Sequence, residues 1–282
     1  MASTAFQTHY RQEFIAGFEQ RQSVLRDAVT TEAVLKGNTA TFLIADSNAA
    51  TAVTRGVNGK IPNGVDNLTQ TSATLAEWHY KPVVTSFNIF ASQGDRNAIM
   101  QKNAMAVINR KIDADIIAQL DTATLTTGAA APASVRMVNK AIAGLGNNGV
   151  PFDGNIWAVI TPAFLSYLYE TTEFTSADYV SKQPYENGPA WADKPGYWDW
   201  HGVKWIVSNQ LTGVGTSSEK CYMFHKSAIG HAVNSAGMDV VLGYNDEDDY
   251  SFARVSIYMG SKLLQNSGVA QMLHDGSAMD IS

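Results

Sequence analysis

"GDRNAIMQKNAMAVINRKIDADIIAQL", residues 94–120, runs without a proline and carries its only glycine at the first position. Met105, Ile108, Ile112, Ile116 and Leu120 recur at helical spacing. Asp95 supplies a side-chain oxygen for the first unpaired N–H groups. A single helix over this stretch spans ~40 Å at 1.5 Å per residue, about the width of a small domain. Helices in globular proteins average about half that length or less. A chain of 282 residues is therefore organised around a rod.

Upstream of the rod, residues 36–92 are rich in Thr, Asn and Gly, with β-branched residues in short runs. "VNGK" (57–60) contains Asn58-Gly59, the preferred pair for a tight type I′ hairpin turn. "ATLAEWHYKPVVTSFNIF" (73–90) predicts a long returning strand, which Pro82 restricts to an edge. A hairpin with so little apolar alternation near its tip packs no core of its own and reads as a projecting arm. Before it, residues 4–35 predict mostly helix, with Phe6, Tyr10, Phe14 and Phe18 on one stripe and Leu25 further along. Such a stripe must lie against something.

Downstream, "DTATLTTGAAAPAS" (121–134) is a small-residue hinge, and residues 134–245 alternate between helical and strand patterns. Ser134 caps a helix ended by Gly144 or Gly146. "NIWAVIT" (155–161) reads as a buried strand, and Thr161-Pro162 opens a second helix. "GVKWIVSNQL" (202–211), "KCYMFHKSAIGHAV" (220–233) and the segment 250–276 predict further strands.

Composition narrows the function. Hydrophobic residues make up 45% and charged residues 16%, below the roughly 25% usual for soluble domains. That favours surface covered by other subunits. The net charge of −6 speaks against tight coating of nucleic acid. A single cysteine, Cys221, excludes an internal disulfide framework and suits a reducing compartment. Neither a signal peptide nor an apolar run long enough to cross a membrane is present, so a soluble protein is expected.

Local motifs carry no catalytic signature. Residues 144–149 spell GxGxxG, but a helix precedes and a strand follows, the reverse of a dinucleotide site. "YNDEDDYSF" (244–252) lacks the glycine and glutamate of a calcium loop. Cys221 and His225 have no second cysteine or acidic partner beside them in sequence. Trp191, Trp198, Trp200 and Trp205, near Asp193 and Asp199, suit either a core or a carbohydrate platform. No cofactor, metal or catalytic residue is expected.

Set in order, several stretches resemble the major capsid proteins of tailed bacteriophages, which share the Hong Kong 97-type fold. "QRQSVLRDAVTTEAVLKGNTATFLI" resembles the N-terminal arm and "TRGVNGKIP" the tip of the extended loop. "WHYKPVVTSFNIFASQGDRNAIMQKNAMAVINRKIDADIIAQL" resembles the returning strand and spine helix. "NIWAVITPAFLSYL", "GVKWIVSNQL" and "FHKSAIGHAV" resemble the axial domain, and "YMGSKLLQNSGVAQML" the closing strand of the peripheral domain.

The resemblance implies an α+β fold with an N-terminal arm (1–39) and an extended β-hairpin loop (40–90). A peripheral domain with the spine helix (91–133 and 250–282) and an α/β axial domain (134–249) complete it. It implies a non-enzymatic protein that assembles with itself, as pentamers and hexamers, into an icosahedral head around double-stranded DNA. DNA would be touched weakly and without specificity. A separately encoded scaffolding protein and a portal are the expected partners during assembly in the host cytoplasm, before residence in the virion. Phe6, Tyr10, Phe14, Phe18, Asn58, Gly59, Lys60 and Trp78 are the candidate assembly residues. An encapsulin-like shell protein, or a monomeric carbohydrate-binding protein using Trp191–Trp205, remain as alternatives.

Overall fold

In a computed structural model, which describes residues 22–34, 36–46, 50–64, 67–91, 96–175 and 197–279, Arg96–Leu120 is one unbroken helix. Its 25 residues reach ~37 Å. Strands β1 (Thr30–Val34), β2 (Thr39–Asp46), β3 (Asn67–Thr74), β4 (Ala76–Tyr80) and β5 (Val83–Thr85) precede it. A short helix α1 (Ser86–Ala91) then leads to the rod, α2 (Arg96–Leu120). Next come β6 (Leu125–Thr126), α3 (Val135–Asn147), β7 (Ile156–Ile160), α4 (Pro162–Tyr169) and α5 (Thr172–Thr175). The chain continues through β8 (Trp198–Trp200), β9 (Val203–Val207), β10 (Glu219–His225), β11 (Ile229–Asn234) and β12 (Asp239–Asn245). It closes with β13 (Tyr250–Leu263) and β14 (Val269–His274).

The strands form three sheets. In the first, the long β13 pairs β11 and β12 along one edge and β4 and β5 along the other, and β1 pairs with β11. The second runs β6-β14-β10-β7-β9-β8, and the third is the pair β2-β3 alone. Helix α2 lies across the first sheet. Val255, Ile257 and Met259, alternate residues of β13, join Ile108, Ile112 and Ile116 of the rod in one buried core. Alternation on the strand and the helical repeat on the rod thus present complementary apolar faces. Met105, expected on that face, is 38% exposed; Ala104 takes the buried position one residue earlier.

Ser134 and Thr161 both cap as expected, accepting from the N–H groups of Met137 and Phe164, and Pro162 opens α4. Helix α3 passes through Gly144 and Gly146 to end at Asn147, and Gly149 turns the chain at φ +75°. The GxGxxG therefore closes a helix.

Two expectations need correction, and two pairings bear on the expected division of the chain. Residues 22–34 are not helical: a 3-10 turn at Arg26–Ala28 leads into β1, because the edge of β11 offers Thr30–Val34 a parallel ladder. The other residues of the expected 4–35 helix lie outside the described ones, as does Asp95. The returning strand of 73–90 is split at Leu75, with β3 pairing β2 and β4 pairing β13, and again at Lys81-Pro82. Its final residues form α1. Segments 229–234 and 239–245, assigned to the axial unit, belong to the first sheet with β13. Conversely, residues 269–274, expected in the peripheral domain, pair with β10 in the second.

The described tryptophans of the 191–205 cluster are core residues. Trp198, Trp200 and Trp205 are all buried, with Trp205 Nε1 donating to the Trp200 carbonyl at 3.0 Å. Edges and faces of these rings pack on one another and on Phe174. That removes them as a sugar platform; Trp191 lies outside the described residues. Among the described residues, no helix is long and apolar enough to cross a membrane.

Candidate assembly surfaces

The β2-β3 pair has a buried face only at its root. Ala40, Phe42 and Ala73 form a small cluster with Ala232 of β11, flanked by Val34, Leu75 and Leu264. The Leu75 N–H donates to the Asn38 carbonyl at 2.8 Å and closes the base. Further out the alternation fades, and Leu43 and Leu68 are 64% and 58% exposed. Residues 50–64 carry neither helix nor strand, and Val53, Val57 and Ile61 stand exposed along them.

The turn at the tip differs from the expected type I′. Gly59 N–H donates to the Gly56 carbonyl (2.8 Å) and Gly56 N–H to the Lys60 carbonyl (3.0 Å). Val57 and Asn58 thus hold the central positions. Asn58 keeps a negative φ, and Gly59 alone is left-handed at φ +71°. This is the three-residue arrangement of a turn followed by a left-handed glycine. The Arg55 guanidinium donates to the Gly59 carbonyl at 3.1 Å and braces it.

Trp78 sits elsewhere, on β4 opposite Ile257. Its ring packs half-buried on the core, with Lys111 Nζ 3.8 Å from its centroid. Asn58, Gly59 and Lys60 share one tip, and Trp78 belongs to the sheet beneath the rod. Phe6, Tyr10, Phe14 and Phe18 lie outside the described residues.

Polar clusters that sequence reading missed tie the rod to its surroundings. The buried Asp113 carboxylate accepts from Ser23 Oγ (2.5 Å), Val24 N–H (3.0 Å) and Leu25 N–H (3.2 Å). It clamps residues 23–25 against α2. At the rod's far end, Asp121 accepts from Thr212 Oγ1 (2.6 Å), Lys220 Nζ (3.0 Å) and the Tyr222 hydroxyl. Burial raises the Asp121 carboxyl, but these three donors outweigh it and hold it below the ordinary range. Gln271 Nε2 donates to the carbonyls of Leu120, Asp121 and Ala123 at 3.2, 3.0 and 2.9 Å. The carbonyls where α2 ends thus meet a side chain from β14, beside the Ala123 N–H that Leu120 already accepts.

In the second sheet, Thr161 Oγ1 donates to Glu219 at 2.6 Å, and the His274 ring lies 2.6 Å from the same carboxylate. All three side chains are buried, and Gly215 N–H completes the carboxylate's shell at 2.8 Å. Burial pushes the neighbouring Cys221 thiol up to about 12, so it is a packing residue. The His225 ring bridges Ser227 and Asp153, and its Nδ1 also accepts the Ser227 N–H, capping a 3-10 turn. Among the described residues, no group of acidic, His and Cys side chains is arranged to hold a metal ion.

Comparison with known proteins assigns this architecture. Residues 2–275 match the family model described as phage capsid protein. A structure from Mycobacterium phage Che8 superposes with a TM-score of 0.72 at 18% identity, covering 95% of this chain and 97% of that one. The cyanophage Pam1 capsid asymmetric unit gives 0.73 at 10% identity, covering 98% of each chain. The capsid of Ralstonia phage GP4 gives 0.70 at 10% identity, covering 95% of each. No curated protein matched.

The fold is therefore of the Hong Kong 97 type. The chain belongs to the phage capsid protein family, and it is a structural major capsid protein of a phage head.

Proposed function

We propose that the subunit closes into pentamers and hexamers by laying the β2-β3 hairpin and its 50–64 tip over an adjacent copy. The observation that carries this is the hairpin's own lack of a core. Its buried residues stop near the root, and apolar side chains continue along the exposed part. Those side chains, and unpaired strand edges, are stabilised when a neighbour covers them. Asn58, Gly59 and Lys60 would then meet the neighbour at the tip. Trp78 acts within the subunit by holding β4 under the rod. The stripe of Phe6, Tyr10, Phe14 and Phe18 would be covered on assembly. Many modest contacts, repeated through closed symmetry, hold the shell.

In this reading the chain performs no catalysis, and its net charge of −6 lets the wall confine DNA without gripping it. The working division is an N-terminal arm to residue 39 and the hairpin to about residue 75. The peripheral unit is the rod with the first sheet, and the axial unit is the second sheet with α3–α5. Scaffolding and portal proteins are partners during assembly in the host cytoplasm. The test replaces residues 47–66 by a short turn and examines particles by electron microscopy. Folded subunits that form no shells are expected; normal shells would overturn the proposed arm.

A further inference from the structure

The direction in which the hairpin leaves the subunit is set at two glycines. Gly230 of β11 and Gly260 of β13 lie on neighbouring strands, one opposite Lys262 and the other opposite Ala232. Both are under the hairpin's root. A Cβ at Gly230 would meet the Phe42 ring at 2.8–3.0 Å. One at Gly260 would meet the Thr74 carbonyl oxygen at 2.1 Å and its carbon at 2.9 Å. Neither glycine has a left-handed φ, so the backbone conformation itself does not demand glycine. What demands it is close approach: the returning strand crosses over β13 at Gly260, between β3 above and β4 alongside.

We infer that Gly230 and Gly260 form a seat that fixes the hairpin's angle and thereby positions its tip on the neighbouring subunit. The inference rests on the proposed role of the hairpin as an arm. The two contacts differ in a useful way. At Gly230 the obstacle is a side chain, on β2. At Gly260 it is backbone, on β3, which has no rotamer to give. A methyl group at 260 must lift Thr74 by ~1 Å to reach ordinary contact. With β4 held to β13 from Ala76 on, two residues or ~6.6 Å back along the strand, that is a tilt of roughly one in seven. Over the eight residues from Ala76 to Leu68, at ~3.3 Å each, the outer part of the arm moves by ~4 Å. Among the described residues, the hairpin's buried apolar contacts are those of the small root cluster.

The test uses the full chain with spin labels at Leu68→Cys on the arm and Tyr258→Cys on the sheet, both exposed positions, leaving the buried Cys221 in place. Label-to-label distances are measured on unassembled subunits, and particles are imaged in parallel without labels. Gly260→Ala is expected to shift the mean distance by about 4 Å and to yield open sheets or no shells. Gly230→Ala is expected to shift it too, and adding Phe42→Leu to restore it. That same Leu added to Gly260→Ala is expected to restore nothing. Should Gly260→Ala fail to fold, as judged by near-ultraviolet circular dichroism, the Gly230 pair carries the test. Unchanged distances in Gly230→Ala would overturn the seat, as would a shifted arm that still builds normal shells. Shells formed after removal of residues 47–66 would instead overturn the arm and leave the seat geometry standing.

Discussion

His231 makes the first sheet sensitive to acid, and the size of the effect follows from its surroundings. The ring is fully buried on β11, opposite Thr31 of β1. Its Nδ1 shares a 3.0 Å hydrogen bond with Ser261 Oγ, and its Nε2 has no partner. Burial lowers its pKa from 6.5 to about 4, with Asp115 acting in the opposite sense and Arg26 reinforcing it. The unfolded chain therefore binds a proton at higher pH than the folded one. Stability from the neutral ring is fully present above the unfolded value, falls as pH drops below about 6.5, and is spent near pH 4. At 1.36 kcal/mol per unit the whole effect is about 3 kcal/mol, of which about 2 kcal/mol is lost between pH 7 and pH 5. Urea unfolding of unassembled subunits at both pH values measures it, with His231→Asn as the comparison because Asn keeps a polar group near Ser261. The variant is expected to lose about 2 kcal/mol less than the parent over that interval. Equal losses in the two proteins would refute the reasoning. Hydrogen exchange at residues 30–34 should rise first in acid, since β1 is held by the strand that carries the ring.

Two further substitutions probe the rod's anchors. Asp113→Ala strands three donors around residues 23–25 and is expected to cost about 3 kcal/mol, read by denaturant midpoint, with faster amide exchange confined to the N-terminal segment. Gln271→Leu removes the side-chain donor from the carbonyls of Leu120, Asp121 and Ala123, of which Leu120 keeps the Ala123 N–H. It is expected to lower stability by about 2–4 kcal/mol and to loosen residues 120–123 in exchange measurements.

What sequence made legible was mostly local. The rod followed from a run without breakers, and the α4 start from Thr161 and Pro162. These depend on neighbours a few residues away. Residues 22–34 were misread because Thr30–Val34 becomes a strand only beside β11, some 200 residues later. The strand over 73–90 was misread for a similar reason. Nothing in Leu75 itself signals that the chain must change partners above Gly260. Tryptophan spacing left core and surface open, and the Trp200–Trp205 bond settles the choice. Asp113, Asp121 and Gln271 could not have been singled out, since each meets partners about 90 to 150 positions distant in the chain. The turn at Asn58–Lys60 was legible from its Asn-Gly pair, although the left-handed residue is Gly59 alone.

Strand β13 touches both the oldest and the youngest parts of the first sheet: β4 and β5 on one flank, β11 and β12 on the other, and α2 across its face. During synthesis the rod and β4 emerge long before it; His79 waits 177 positions for Ser256. Until that strand leaves the ribosome, the rod lacks the β13 face it packs against, and exposed apolar surface of this kind favours aggregation. A polypeptide cut short before β13 thus has no finished first sheet, and completion of that one strand separates a whole subunit from a fragment.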